Sequence, residues 1–224
     1  MGSSGCAVVY EQVGVTARLA QLGLREEQLQ EAIMEGVVAQ RNCTENDPPT
    51  LRNILPWGKT MTGLRNRLLP TGGWRRCDVG NFSRVINDEL GVAICVSTGD
   101  EKTGLRLPGE APRTKYPKGT FTANAIESNL SFSFMADLMP TQFEEATVVP
   151  EGLATYMLLI ARMGNEVRCE LSLPNAVDTD GRVHEWAERI ILNPVKLDIE
   201  PTQPTPEASM ENAPAVEIDV TRKG

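Results

Sequence analysis

Residues 155–174 have the sequence TYMLLIARMGNEVRCELSLP, and this stretch predicts a β-hairpin around which the rest of the sheet is built. Gly164-Asn165 separates two largely apolar arms and is typical of a tight turn. In the second arm apolar residues alternate from Val167 to Leu173, which places them on one face of a strand. A DTDG turn at residues 178–181 and two alternating segments follow, so we predict an antiparallel meander over residues 154–199.

Two further strands are predicted upstream of the hairpin. VAICVS, at residues 92–97, is a continuous apolar run of the length expected for a central strand. LSFSFM, at residues 130–135, alternates between apolar and polar residues, which is the period of a half-buried strand. A mostly antiparallel sheet is therefore expected from about residue 91 to residue 199.

Helices are predicted in the N-terminal part of the chain. In REEQLQEAIMEGVVAQ, residues 25–40, the side chains of Leu29, Ile33 and Val37 recur every fourth residue and form one apolar stripe. TARLAQLGL, at residues 16–24, also fits a helix. Pro48 and Pro49 break the pattern before a short third helix, TMTGLRNRLLP, at residues 60–70. We predict one α+β domain over residues 1–200, with its helical part at about residues 10–70.

The C-terminal segment differs from the rest in composition. PTQPTPEASMENAPA, at residues 201–215, contains almost no apolar side chain that could offset the entropy of ordering the chain. Residues 201–224 are therefore predicted to form a disordered tail. The alternative for the last part is a short docking strand at VEIDV, residues 216–220.

Composition and cysteine spacing limit the function classes. No apolar run approaches the roughly 18–20 residues needed to cross a bilayer, and the N-terminus lacks a secretory pattern, so we expect a cytoplasmic protein without membrane insertion. The five cysteines, at positions 6, 43, 77, 95 and 169, form no CxxC pair, and His184 is the single histidine. We therefore expect no structural zinc site, and the sequence implies no cofactor and no particular oligomeric state.

Charge is distributed unevenly along a chain whose formal net charge is −8. Residues 51–122 contain 12 basic and 6 acidic side chains, whereas residues 123–200 contain 5 basic and 13 acidic ones. A basic middle segment in an acidic chain points to a polyanionic ligand or an acidic protein partner. The alternative is internal, since the acidic segment could neutralise the basic one within the same fold.

Aromatic residues interleave with the basic ones, which is typical of nucleic-acid binding because cations neutralise phosphate and aromatic faces accept stacked bases. In PRTKYPKGTFT, residues 112–122, prolines keep the chain extended and Gly119 allows close backbone approach. We predict a non-catalytic protein that binds nucleic acid or an acidic protein partner. The interleaved aromatic residues are Trp57, Trp74, Tyr116 and Phe121, and the residues predicted to bind are Arg75, Arg76, Lys102, Arg106, Arg113, Lys115, Tyr116 and Lys118.

The loop after the predicted strand at 92–97 has the sequence STGDEKTG and resembles a phosphate-binding loop in part. Gly99 and Gly104 bracket four residues as a P-loop requires. Leu105 and Arg106 then follow where Lys and Ser or Thr are needed, and prolines prevent a helix, so this motif is excluded. The simplest interpretation is a polar turn in which the side chains of Asp100 and Thr103 bond to nearby backbone groups.

The same loop supports an alternative function as a metal-dependent nuclease or phosphohydrolase. Asp100 and Lys102 form a D-x-K triplet, in which a carboxylate would hold Mg²⁺ and the lysine would stabilise charge. Asp88 or Glu89 would supply the upstream carboxylate.

Charged residues also alternate along the meander, at Arg168, Glu170, Glu185 and Arg189. We expect them to form exposed cross-strand salt bridges worth only a few tenths of a kcal/mol each. No Ser or Cys lies in the context of a nucleophile motif, so no catalytic residue is predicted. A further alternative is a protein-binding accessory subunit that acts through the acidic sheet and the tail.

Overall fold

The computed structural model describes residues 6–138 and 153–197. Along the chain, three helices precede most of the strands, and a fourth helix follows one central strand and precedes the next. The elements in chain order are β1 (Ala7–Val9), α1 (Gln12–Gln21), α2 (Glu26–Arg41), α3 (Pro49–Leu68), β2 (Trp74–Cys77), β3 (Arg84–Asn87), β4 (Val92–Thr98), α4 (Thr120–Leu138), β5 (Ala154–Met163), β6 (Glu166–Val177), β7 (Val183–Ile191) and β8 (Val195–Lys196).

The strands form one mixed sheet that is mostly antiparallel, in the order β1-β7-β6-β5-β4-β3-β2, with β8 paired to the beginning of β6. Strand β1 pairs in parallel with β7, and β4 pairs in parallel with β5. The predicted hairpin is confirmed, because β5 and β6 pair with Met163 opposite Glu166 around the Gly164-Asn165 turn. The predicted α+β class, with helices followed by a mostly antiparallel sheet, is confirmed as well.

Helices cover the sheet on both faces. Val167, Cys169 and Leu171 of β6 are buried in the core that α1, α2 and α3 form on one face, as their alternation predicts. On the other face Met157 packs with Ile126 of α4. Strand β5 is buried on both sides, which explains why its sequence is a nearly continuous apolar run.

Helix α3 is longer than the sequence predicts. It begins at Pro49 and has 20 residues, so the short helix expected at residues 60–70 is only its second half. Pro49 is at the start, where its missing N–H is not needed, but Pro56 lies inside the helix and leaves the carbonyl of Arg52 without its helical donor. The side-chain amide of Gln40 on α2 donates to that carbonyl over 3.2 Å, so a neighbouring helix replaces the lost bond.

The strand predicted at residues 130–135 is wrong, because this segment lies within α4. Six alternating residues do not distinguish a strand from part of a helix. The parallel pairing of β4 and β5 decides the matter, since parallel neighbours need a long crossover connection, and α4 supplies it.

Asn129 fixes α4 to the sheet. Its side-chain amide donates to the carbonyls of Thr155 and Pro174, each over 3.2 Å, and its side-chain oxygen accepts from the N–H of Thr155 over 2.8 Å. These backbone groups belong to β5 and β6. One buried amide therefore joins the crossover helix to two strands.

The sheet also begins earlier than predicted. Strands β2 and β3 form an antiparallel hairpin before residue 91, with Trp74 opposite Asn87, and β1 joins the opposite edge of the sheet. These strands have only three or four residues each, which is too short for a visible alternation.

The loop of residues 99–106 covers a buried ion pair. Arg189 and Glu170 form a bidentate pair with N–O distances of 2.6 and 2.9 Å, and their side chains are 3% and 0% exposed. The N–H of Gly104 donates to Glu170 over 2.9 Å, and Arg189 donates to the carbonyl of Leu105 over 3.0 Å. The expected exposed cross-strand pairing is therefore wrong for these two residues, because a distant loop removes them from water.

The polar turn predicted in the same loop is present for Asp100, whereas the buried hydroxyl of Thr103 has no hydrogen-bond partner among the described residues. Asp100 accepts from the backbone N–H of Lys102 and from that of Arg113, at 3.1 and 3.0 Å. Asp100 thus connects the loop to the chain segment that crosses the end of β4.

None of the described helices is long and apolar enough to cross a membrane. Of the segment VKLDIE, residues 195–196 form β8. The disordered tail predicted for residues 201–224 and the docking strand at residues 216–220 lie outside the described residues.

Candidate functional site

Two cavities meet at the carboxyl end of β4, where open sheets with parallel strands commonly bind ligands. The first cavity, of about 440 Å³, lies between α2, α3 and the ends of β4 and β5. The second, of about 350 Å³, lies between β4, the start of α4 and residues 80–83. Trp57, Val96 and Ser97 line both cavities.

An extended segment, residues 114–119, crosses the end of β4 and supplies side chains to both cavities. We call it the strap. The N–H of Lys115 donates to the carbonyl of Thr98, and the N–H of Lys118 donates to that of Gly181, at 2.9 and 2.7 Å. Pro117 within the strap prevents helix formation. As a result Lys115 and Tyr116 line the first cavity, whereas Lys118 lines the second.

Lys118 and Ser97 form a close polar contact. The ammonium of Lys118 donates to the hydroxyl of Ser97 over 2.6 Å. Burial lowers the pKa of Lys118, and the neighbouring Cys95 thiol opposes that shift only in part. Among residues 6–138 and 153–197, no carboxylate forms a salt bridge with this ammonium. The site therefore contains a half-buried cation without a described counter-ion.

Three aromatic side chains are exposed around the two cavities. Trp57, Tyr116 and Phe121 are 38%, 51% and 52% exposed. The indole N–H of Trp57 donates to the carbonyl of Val96 over 3.1 Å and holds the ring against the end of β4. Phe121 rests on Gly80, where an added Cβ would lie 2.2 Å from the ring. The rings of Trp57 and Phe121 are thus held in place, while part of the surface of all three rings stays open to solvent.

Exposed cations accompany these rings at the first cavity. Lys115 lies 5.7 Å from the centre of the Tyr116 ring, and Arg162 donates to the side chain of Gln40 over 3.1 Å. No salt bridge joins either cation to a carboxylate of the described part of the chain. Asp100 and Glu101 line the same cavity, but the Asp100 carboxylate is already bonded to backbone N–H groups.

The structure brings together Lys115, Tyr116 and Lys118 of the residues predicted to bind. Four others have intramolecular partners: Lys102 pairs with Glu110 at 2.6 Å, Arg113 with Asp178 and Asp180, Arg75 with Asp88 at 2.5 Å, and Arg106 stacks on Tyr10 with 3.9 Å to the ring centre. Three of these four cations are paired with carboxylates, but only Arg113 pairs with the acidic segment 123–200. The neutral ring of Tyr10 does not neutralise the charge of Arg106.

Arg75 and Arg76 also lie far from Arg106. The two arginines belong to β2 at one edge of the sheet, and Arg106 contacts Tyr10 beside β1 at the other edge. Six strand spacings of about 4.8 Å separate these edges, or roughly 29 Å. The role of these outer residues in binding stays a prediction, and none of the three lines either cavity.

The residues of the nuclease alternative are not brought together. Asp88 and Glu89 precede β4, whereas Asp100 and Lys102 follow it. Seven strand residues at about 3.3 Å each separate the two ends by roughly 23 Å. Within the described residues, no group of three or more His, Cys, Asp or Glu side chains could hold a metal ion.

Cys77, at the end of β2, is expected to be the most reactive thiol. Burial alone would raise its pKa, but the Val79 N–H, a 3.4 Å contact with Arg84 and the charge of Arg75 outweigh that effect and lower it. Burial raises the pKa of Cys95 and of Cys169 to about 12. A lowered pKa increases the thiolate fraction at neutral pH.

We therefore expect iodoacetamide at about pH 7.5 to modify Cys77 before the buried thiols, as measured by peptide mass mapping. Arg84→Gln should slow that modification, because the thiolate loses a cationic neighbour. An unchanged rate in this variant would contradict the assignment, and modification of Cys95 serves as the internal reference for unfolding.

Sequence reasoning missed Ser97 and Arg162, and it identified Trp57 only as one of the aromatic residues interleaved with the basic ones. Ser97 and Lys118 are 21 residues apart, and no motif links them. The prolines of the strap were the one usable signal, since they predict an extended segment. Comparison with protein families, with curated proteins and with solved structures finds no match for this chain, so its function has to be inferred from the geometry of the site.

Proposed function

We propose that this protein is a non-catalytic binding protein that holds single-stranded nucleic acid at the carboxyl end of β4. The observation that carries this proposal is the grouping of three exposed rings with two unpaired surface cations around adjoining cavities. We call this group the aromatic–cationic surface, and it consists of Trp57, Lys115, Tyr116, Phe121 and Arg162.

The physical basis is stacking combined with local charge. Base stacking on an aromatic side chain contributes about 1–3 kcal/mol per base and tolerates any base. The chain as a whole is acidic, with a net charge of −8, so attraction for phosphate has to come from a local group of cations. Bases are accessible for stacking in single strands, which favours a single strand over a duplex.

The proposal includes a cytoplasmic location. All five cysteines are free thiols, which is in keeping with a reducing compartment.

Tryptophan fluorescence offers a direct test. Trp74 and Trp186 are buried, so Trp57 is the exposed reporter among the three tryptophans. We expect an oligothymidylate of about ten nucleotides to quench Trp57, and we expect the affinity to fall with salt at a slope of about −0.7 per phosphate contact. A duplex of the same length should bind more weakly.

Two variants and one control make this test specific. Trp57→Ala should weaken binding roughly tenfold, measured by polarisation of a labelled strand, because a stacking partner is lost. Lys115→Gln should reduce the salt slope by about 0.7. Lys102→Gln is the control, since Lys102 pairs with Glu110 and lines neither cavity. Absence of binding at low salt would refute the proposal and favour an acidic protein partner instead.

A further inference from the structure

The second cavity is lined by a lysine and several hydroxyl groups, and no acidic side chain of the described residues lines it. Its lining residues include Lys118, Ser97, Thr120 and Thr122, and none of them is Asp or Glu. An ammonium has three N–H donors, and the contact with Ser97 uses one of them. Two donors and a positive charge are therefore left for a ligand or for water.

A half-buried ammonium without a counter-ion costs free energy, because its hydration is reduced and nothing compensates the charge. A bound anion would relieve that cost. Lys118 is positioned for such an anion, since the strap fixes its backbone and Ser97 fixes its end. The same argument does not apply to Lys102, whose charge Glu110 already compensates.

The start of α4 adds backbone donors to this cavity. The N–H groups of Thr120 and Phe121 have no acceptor within residues 6–138 and 153–197, whereas those of Thr122 and Ala123 donate to the carbonyl of Gly119. Free N–H groups in the first turn of a helix suit an anion with several oxygens.

The size of the cavity indicates what kind of phosphate it would accept. A volume of about 350 Å³ lies at the lower end of the roughly 300–1,000 Å³ that is usual for small-ligand pockets. This is room for a phosphate group with its attached sugar. A phosphomonoester also carries about −1.5 to −2 charges at neutral pH, more than a backbone diester.

We infer that the second cavity binds a phosphomonoester group, held by Lys118, Ser97 and the first turn of α4. The inference deepens the proposed function and rests on it, since the neighbouring aromatic–cationic surface would hold the rest of the strand. The terminal phosphate of a strand and the phosphate of a free nucleotide share this chemistry, and the experiment separates them.

The experiment compares matched ligands on the full-length protein. The probes are an oligothymidylate of about ten nucleotides with a 5′-phosphate, with a 3′-phosphate or with neither, together with thymidine monophosphate and thymidine. We expect a phosphorylated probe to bind roughly tenfold more tightly than its unphosphorylated partner, the gain of one or two charge-assisted hydrogen bonds. The oligonucleotide pairs report a strand end, and the mononucleotide pair reports a free nucleotide.

Lys118→Gln should abolish the preference for phosphorylated probes while leaving most of the affinity for unphosphorylated strands. Ser97→Ala should reduce the same preference, and it supplies a second variant if Lys118→Gln melts at a lower temperature. Lys115→Gln is the matched control and should weaken all oligonucleotides alike.

Equal affinity of every phosphorylated and unphosphorylated pair in the unmodified protein would overturn the inference, and it would leave the proposed function standing if the strands still bind. Binding of thymidine monophosphate without binding of any strand would instead refute the proposed function and support the phosphate site alone. A preference that persists in Lys118→Gln would place the phosphate elsewhere and also overturn the inference.

Discussion

Arg189→Met should lower the free energy of unfolding by about 3–5 kcal/mol, because it leaves the Glu170 carboxylate buried without its cation. Glu170 is 0% exposed, and both of its oxygens are bonded to Arg189. Gly104 and Ser172 also donate to this carboxylate, but neutral donors do not compensate a full charge. Urea unfolding followed by circular dichroism measures the change, with the slope checked for two-state behaviour.

Arg75→Met is the matched control for this experiment. Arg75 also forms a close pair with a carboxylate, Asp88, but both side chains are about half exposed. Solvent screens such a pair, so we expect a loss of less than about 1 kcal/mol. Similar losses for the two variants would show that burial of the Glu170–Arg189 pair is not what makes it important. The double variant Glu170→Gln with Arg189→Met should recover part of the loss, since no buried charge remains.

Gly104→Ala should lower the free energy of unfolding by about 3 kcal/mol, the second largest effect that we expect. Gly104 has a φ of +71°, which costs a residue with a side chain about 1–2 kcal/mol. An added Cβ would also lie 2.9 Å from the Cβ of Arg168 and 3.1 Å from the backbone nitrogen of Cys169. The backbone would have to move away from β6, and its N–H bond to Glu170 would be weakened.

Gly109→Ala separates these two contributions. Gly109 has a similar φ of +72°, but no atom of the described residues lies within 4 Å of the position that its Cβ would occupy. This variant should show only the conformational cost of about 1–2 kcal/mol. Equal losses at the two glycines, measured by urea unfolding, would contradict the claim that the loop packs against β6 to cover the ion pair.

The ion pair and the candidate site are connected through the same loop. The loop begins at the end of β4, and Asp100 within it bonds to the N–H of Arg113, which directly precedes the strap. Anchoring the loop on Glu170 and Arg189 therefore also fixes one end of the segment that presents Lys115 and Lys118. The loop of residues 99–106, which is rich in glycine and charged residues, therefore has two structural roles. It covers the buried ion pair, and it positions the strap.

The sequence by itself determined the elements whose signal is local. The hairpin at residues 155–174 follows from alternation and a Gly-Asn turn, β4 from one apolar run, and α2 from a stripe repeating every four residues. In each case side chains close together in the sequence share one environment, so their period reports the backbone. The extended strap was predictable for a similar reason, because proline restricts its own backbone.

The tertiary structure alone decided what depends on distant segments. Residues 130–135 have the period of a strand, but the parallel pairing of β4 with β5 requires a crossover, and the segment lies in a helix. Glu170 and Arg189 look like exposed strand residues until a loop 66 residues away from Glu170 covers them. Likewise Ser97 meets Lys118 because the strap crosses the end of β4. Burial and charge pairing are properties of the space around a side chain, and that space is filled by parts of the chain that no local pattern encodes.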